Sequence, residues 1–263
     1  MSRPRQVVLV TGAAKRVGRA IALEAAQHGY DVAVHYRHSA AEAEATVAEL
    51  RAAGANAQAF AADLSDESAC RGLVPAVAAH FGRLDAVVNS ASTFEADDAI
   101  TFGVAAMEKH WRANTAPAVL LAQALHERLA SGNGAGEAPR GCVVNLLDQK
   151  LWNLNPDYFS YTLSKAALQA ATVMLAQALA PRLRVCGVAP GLTTPSVDMS
   201  AEEFERAHRM TPLERSSTPH DIARAVRFLI ESPAITGTTL LVDGGQHLAA
   251  QPRDVLYLAQ KNS

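Results

Sequence analysis

The 263-residue chain carries 24 basic and 26 acidic residues, for a formal net charge of −2, which leaves no electrostatic footprint for nucleic acid or an anionic membrane. Apolar residues reach 49%, swollen by 53 alanines, while aromatics stay at 5%, a balance that favours helices packed closely on a sheet and excludes collagen-like or disordered chains. The three cysteines, Cys70, Cys142 and Cys186, are far apart and at no metal-ligand spacing, so they predict reduced thiols in a cytosolic protein without a metal site.

Strand-like and helix-period runs alternate along the chain. Gln6 to Val10 predicts a strand, Val17 to His28 a helix, Asp31 to Tyr36 a strand and Ala40 to Ala53 a helix. The rhythm repeats with Ala57 to Ala61, Asp66 to Phe81, Leu84 to Asn89, a long helix from Ala105 to Ala130, Cys142 to Leu147, a helix from Tyr158 to Ala180, and Arg184 to Val188. A helix from Pro219 to Ile230 and a strand from Thr239 to Val242 close it. Strand followed by helix this often predicts one α/β domain over residues 1–263, a Rossmann-type doubly wound parallel sheet with helices on both faces. Ser39 with Glu42 reads as a capping box, and Thr218-Pro219 as a cap followed by a first-turn proline. Two segments break the rhythm. Ser131 to Gly141 predicts a flexible surface turn, and Pro190 to Thr218, after the sixth strand, predicts a substrate loop or lid. The basic start runs straight into a strand with no cleavage site for a signal peptide, and the longest uncharged stretch, Ala166 to Ala180, is too short to span a bilayer.

The first strand leads into Thr11-Gly12-Ala13-Ala14-Lys15-Arg16-Val17-Gly18. Gly12 permits a tight turn, Gly18 lets the helix sit close on the strand, and the free N–H groups of the helix start can hold a pyrophosphate. The second strand ends in His35-Tyr36-Arg37-His38-Ser39, where an NAD enzyme needs a carboxylate for the ribose 2′-hydroxyl. Positive groups there, with Lys15 nearby, favour the 2′-phosphate of NADP, although Ser39 also reads as a helix cap and His38 as a solvated loop residue. Further on, Tyr161 and Lys165 stand one helical turn apart. At ~4 Å and an effective dielectric of ~20, the lysine would stabilise a phenolate by about 4 kcal/mol, making the phenol a usable proton donor.

In order, Thr11-Gly12 and Gly18, Asn89, Asn114, Tyr161 and Lys165, Pro190-Gly191 and Asp243-Gly244-Gly245 cover nearly the whole chain. This pattern resembles the short-chain dehydrogenase/reductase superfamily. The resemblance implies that Tyr161 is the acid, that Lys165 holds the nicotinamide ribose and depresses the tyrosine pKa, and that Asn114 supports a water-linked proton relay. It places Asp63-Leu64 at the adenine and Val17, Tyr36, Asn89, Ser90, Ala91, Pro190, Gly191 and Thr193 along the cofactor. Three departures are similar to one subgroup, the pteridine reductases: Arg16 in place of a middle glycine, Asp148 thirteen residues before Tyr161 in place of a serine, and Ser90-Ala91-Ser92-Thr93-Phe94 after Asn89. That resemblance implies a pterin framed by Arg16 and stacked between Phe94 and the nicotinamide, with Ser92, Tyr158 and Thr193 in contact with ligand.

The chemistry points the same way. A carbonyl calls for donors aimed at oxygen, whereas a ring C=N bond needs a proton on nitrogen, which a carboxyl beside a phenol can supply or relay. The expectation is an NADPH-dependent reductase of a pterin or folate. If Asp148 is only a solvated strand-end residue, the alternative is a carbonyl reductase acting on an oxoacyl thioester or ketone; a non-catalytic NADP sensor would be expected to lack Tyr161 or Lys165. The helices at 105–130 and 158–180 are apolar around much of their circumference, and related reductases pair them between subunits, which implies a homotetramer.

Overall fold

The computed structural model describes residues 4–131, 141–195 and 199–260. Seven parallel strands form one sheet: β1 (Val7–Val10), β2 (Asp31–Tyr36), β3 (Ala57–Ala61), β4 (Ala86–Asn89), β5 (Gly141–Leu146), β6 (Leu183–Pro190) and β7 (Thr239–Val242). Their spatial order is β3-β2-β1-β4-β5-β6-β7. The strands read as continuous apolar runs because both faces are covered. In β1, Val8 and Val10 join the core on one face while Val7 and Leu9 join the core on the other. Each such side chain contributes roughly 1.5–3 kcal/mol on full burial.

One face carries α1 (Arg16–Gln27), α2 (Ala40–Ala52) and α8 (Pro219–Glu231), and the other carries α3 (Glu67–Phe81), α5 (Ala116–Ala130) and α6 (Phe159–Ala178). In α1 the buried Gly18, Ile21, Ala22 and Ala25 recur at the spacing of one helical face. The strands and these helices fall within a few residues of the positions predicted for them. No described helix is long and apolar enough to cross a membrane.

Three expectations need correction. The long helix predicted from Ala105 to Ala130 is broken into α4 (Val104–His110), a π-turn (Trp111–Thr115) and α5. Pro117, in the first turn of α5, has no N–H to give the ladder and so favours a register change just before it. Ser39 makes no side-chain cap; Glu42 instead takes Lys15 at 2.9 Å, so no capping box forms there. At Thr218 the capping box does form, closed by Asp221. The segment read as a loop from Pro190 to Thr218 contains α7 (Ala201–Arg209), which Ser200 and Glu203 cap reciprocally. A final helix, α9 (Val255–Gln260), packs on it through Met199, Ala207, Val255, Leu256 and Ala259. The surface turn expected at 131–141 lies, apart from its two end residues, outside the described residues.

Candidate active site

The strand order reverses between β1 and β4, and the crevice at their carboxyl ends is where an open α/β sheet takes a ligand. The turn from β1 to α1 is built for close approach. Gly12 has φ +65°, and a Cβ there would stand 3.0 Å from the Ala91 Cα; a Cβ on Gly18 would press into the Gly12 carbonyl. Thr11 Oγ1 accepts hydrogen bonds from the N–H groups of Ser90 and Ala91 at 2.9 and 3.0 Å, locking this turn to the end of β4. His35 backs it from below, with Nδ1 accepting from the Gly12 N–H at 3.1 Å and Nε2 facing the Ala62 carbonyl at 3.1 Å. Burial pulls its pKa down, so His35 is a neutral brace and not one of the cations of the corner.

Arg16 sits at φ 53°, the left-handed region that a glycine enters freely and an arginine enters at a cost. Its guanidinium reaches across the crevice to Thr194 Oγ1 and the Pro195 carbonyl. Lys15, Arg37 and His38 lie exposed at the carboxyl end of β2, beside half-buried Tyr36 and Ser39. Asp63 accepts from Ser65, and these bonds hold its carboxyl below its ordinary range, with lesser help from Arg37 and His38. Leu64 is buried in the adjoining core. Asn89 is turned away from the crevice: its amide donates to Asn145 Oδ1 at 2.8 Å within the sheet. Beyond β6, Thr193 Oγ1 donates to the Gly191 carbonyl at 2.8 Å and meets Ser217 Oγ at 2.8 Å.

At the inner end of the crevice, Tyr161 Oη donates to Asp148 Oδ2 at 2.8 Å. The same carboxylate accepts from the Lys150 N–H at 2.8 Å through its other oxygen. Burial raises the Asp148 carboxyl above its usual pKa. Burial and the neighbouring Asp148 charge raise the Tyr161 phenol well above 10. Lys165 does not offset them. Its ammonium donates to the Leu146 carbonyl at 2.7 Å and lies 5.7 Å from the Tyr161 ring centre, and burial brings its own pKa down to about 8. The expected lowering of the phenol by Lys165 is therefore reversed in the chain alone. What the geometry provides is a phenol and a carboxyl joined by one hydrogen bond, each pushed towards its protonated form.

Asn114, in the π-turn, spends its side chain on fixed partners: Oδ1 accepts from Ser92 Oγ and the Thr93 N–H, and Nδ2 donates to the Thr93 carbonyl and Ser164 Oγ. Any relay through this residue runs along its backbone. The wall beside Tyr161 is aromatic. Phe94 stacks on Tyr158 with centroids 4.1 Å apart and meets Tyr161 edge-on at 4.7 Å. Tyr158 precedes α6 at φ 54°, the second left-handed side chain of the site.

Sequence reasoning passed over several residues that hold these in place. Asp97 accepts from the Ser160 N–H at 3.0 Å and also takes Ser160 Oγ, so it caps α6 from the Phe94 segment, where Tyr158 offers no side-chain cap. Its charge also suits a helix N-terminus. Lys150 and Asp254 meet near Asp148, and Tyr257 stacks on Tyr158 at 6.2 Å. These are contacts between distant segments, and local pattern carries no signal for them.

The family model described as enoyl-(acyl carrier protein) reductase matches residues 12–247. FolM alternative dihydrofolate reductase 1 from Brucella suis, solved in complex with NADP, is 41% identical, with a TM-score of 0.86 over 94% of this chain and 96% of that one. Pteridine reductase 1 of Leishmania tarentolae is 34% identical over 92% of this chain and 96% of its own length. The 3-oxoacyl-[acyl-carrier-protein] reductase FabG of Staphylococcus aureus is 32% identical over 91% of this chain and 97% of its own. With a tight glycine turn at the switch point of a seven-stranded parallel sheet, a tyrosine and lysine one turn apart on α6, and matches of this extent, the chain belongs to the short-chain dehydrogenase/reductase family of oxidoreductases.

Proposed function

We propose that the protein is an NADPH-dependent reductase of a pterin or folate-type ring. The observation that carries this reading is the 2.8 Å hydrogen bond from Tyr161 to the half-buried Asp148 carboxyl. The residues present fit the cofactor: a Cβ on Gly12 or Gly18 would collide with Ala91 or with the Gly12 carbonyl and break the tight turn, and Arg37, His38 and Ser39 rather than a carboxylate follow β2, with Glu42 paired to Lys15 beside them. The turn from Gly12 to Gly18 would hold the pyrophosphate, Lys15, Arg37, His38 and Ser39 the 2′-phosphate, Asp63 and Leu64 the adenine, and Lys165 the nicotinamide ribose. Tyr36, Ser90, Ala91, Pro190, Gly191 and Thr193 would line its path, with Asn89 bracing the strand beneath. When bound, NADPH supplies the hydride that adds to the carbon of a ring C=N bond.

The rest of the chemistry belongs to the chain. Tyr161 passes its proton to the ring nitrogen as the C=N π bond opens, and Asp148 returns a proton to the phenolate. The pair shares protons and titrates as one coupled group. Arg16 would face the electron-rich N and O atoms of the pterin, and Phe94, with Tyr158 and Ser92, would flank the ring. The NADP complex of the FolM relative and the name of the pteridine reductase relative support this reading. NADPH consumption with biopterin, dihydrobiopterin, dihydrofolate and acetoacetyl thioester side by side tests it. Turnover of a pterin or folate is expected, and activity on the thioester alone would overturn the reading in favour of carbonyl reduction.

Two further outcomes follow from the same site and surface. NADPH should bind at least about tenfold more tightly than NADH, roughly 1.4 kcal/mol, a modest demand on two cations facing a phosphate. Titration with both nucleotides checks this, and equal affinity would refute it. Trp111, Leu163, Val173 and Met174 leave large apolar side chains exposed on the π-turn and α6, which supports burial of that surface in a homotetramer. Light scattering at micromolar concentration should report four chains; a monomer would refute the assembly. The three buried free thiols suit a reducing compartment, the cytoplasm.

A further inference from the structure

Beside Asp148 lies a charge pair, its lysine buried and its aspartate half-buried, that the proposed chemistry does not use. Lys150 stands two residues after Asp148 on the 3₁₀ turn Gln149–Trp152, and its side chain is only 3% exposed. A lysine so far from water is costly unless it is paired and hydrogen-bonded. Its ammonium donates to Asp254 Oδ2 at 3.1 Å and lies 5.2 Å from the centre of the Tyr158 ring, while its backbone N–H donates to Asp148. One residue thus touches the acid, the aromatic wall and the C-terminal segment.

The other end of the pair is pinned as well. The Asp254 N–H donates to Asp157 Oδ2 at 2.7 Å, and Arg253 forks onto the same carboxylate. Asn153 Nδ2 donates to the Ala249 carbonyl at 2.6 Å. The segment from 249 to 257 is therefore stitched to the turn that carries Asp148, close to the wall that Phe94 and Tyr158 form.

We propose that Lys150 and Asp254 are a positioning pair for Asp148: their salt bridge fastens the C-terminal segment beside the aromatic wall and sets the net charge that the Asp148 carboxyl meets. This rests on the reading of Asp148 as the proton source. The ionisable groups that face Asp148 are Tyr161 and Lys165 from α6, Lys150 from its own turn and Asp254 from the C-terminal segment; His110 of α4 packs on Tyr161 at 6.3 Å. Tyr161 is bonded to the acid and Lys165 to a carbonyl, which leaves Lys150 and Asp254 as the balance that a substitution tips. A lone ammonium would favour the carboxylate, and a lone second carboxylate would favour the acid. Burial is the largest influence on Asp148, with Asp254 acting in the same direction and Lys150 against it.

The test needs no substrate. Full-length protein labelled with ¹³C at the aspartate carboxyls is titrated by NMR, and the Asp148 signal is assigned by its loss in Asp148→Asn. Asp254→Asn should lower the Asp148 midpoint by about one pH unit, Lys150→Met should raise it, and the double variant should return it towards the parent value. An unmoved midpoint in Asp254→Asn, whatever its melting temperature, would overturn the proposal and leave the pair merely structural. That variant can keep the acceptor oxygen for the Leu256 N–H, so it decides alone if Lys150→Met does not fold. A shifted midpoint without pterin turnover would uphold the pair and refute the substrate reading, so the two failures are distinct.

Discussion

Replacing Tyr161 with Phe is expected to lower kcat by roughly 10²-fold or more with both a dihydropterin and any carbonyl the enzyme accepts, because the substitution removes a positioned proton donor. Steady-state NADPH oxidation measures it. The phenyl ring keeps the edge-on contact with Phe94 and the packing on His110, so nucleotide affinity should stay within about threefold, less than 1 kcal/mol. The variant also leaves the half-buried Asp148 carboxyl short of one donor, which costs about 1 kcal/mol and drives the acid towards its protonated form. A lower melting temperature should accompany the loss of rate. Turnover within threefold of the parent enzyme would remove Tyr161 from the chemistry.

Asp148→Ser separates the two reductions that the site could perform. A serine restores a hydroxyl donor near Tyr161, which suffices for a carbonyl oxygen, but it has no proton of carboxyl acidity to return to the phenolate. Turnover of a dihydropterin should fall at least about tenfold further than turnover of an acetoacetyl thioester, measured as the ratio of kcat/KM values; tenfold is roughly 1.4 kcal/mol of transition-state stabilisation. An unchanged ratio would make Asp148 a bystander. The pH behaviour follows from the direction of its shift. Burial raises the pKa of Asp148 above the ordinary carboxylate value, so its protonated, acid-competent form survives to higher pH and is lost as pH rises through the apparent pKa of the pair. Pterin turnover in the parent enzyme should therefore decline on the alkaline side.

The centre of the sheet was legible because its strands are buried on both faces, so that VVLV or DVAVHY reads as an apolar run bounded by turn residues. The first turn was legible because Gly18 is demanded by the Gly12 carbonyl six residues before it, although the contact that demands Gly12 comes from Ala91 at the far end of β4. Other features depend on partners remote in sequence. The π-turn at Trp111–Thr115 sits where Asn114 reaches Thr93 and Ser164, and Thr115 Oγ1 donates to the Ser164 carbonyl at 2.8 Å, although Pro117 was a local hint of it. Lys150 and Asp254 are 104 residues apart, and nothing in either neighbourhood announces the other. Lys165 was misjudged for a related reason. Spacing set it one turn from Tyr161, but the Leu146 carbonyl from β5 takes its ammonium, and burial brings its pKa down to about 8.

Tyr161 and Asp148 together are proposed to deliver the proton that completes reduction of a ring C=N bond. Single-turnover oxidation of enzyme-bound NADPH by dihydrobiopterin, followed across pH in the parent enzyme and in Asp148→Ser, isolates that proton transfer. The rate in the parent should fall as pH rises through the titration of the acid pair, and the variant should show a slower, flatter profile. Superimposable profiles, or no transfer to the pterin at any pH, would contradict this role.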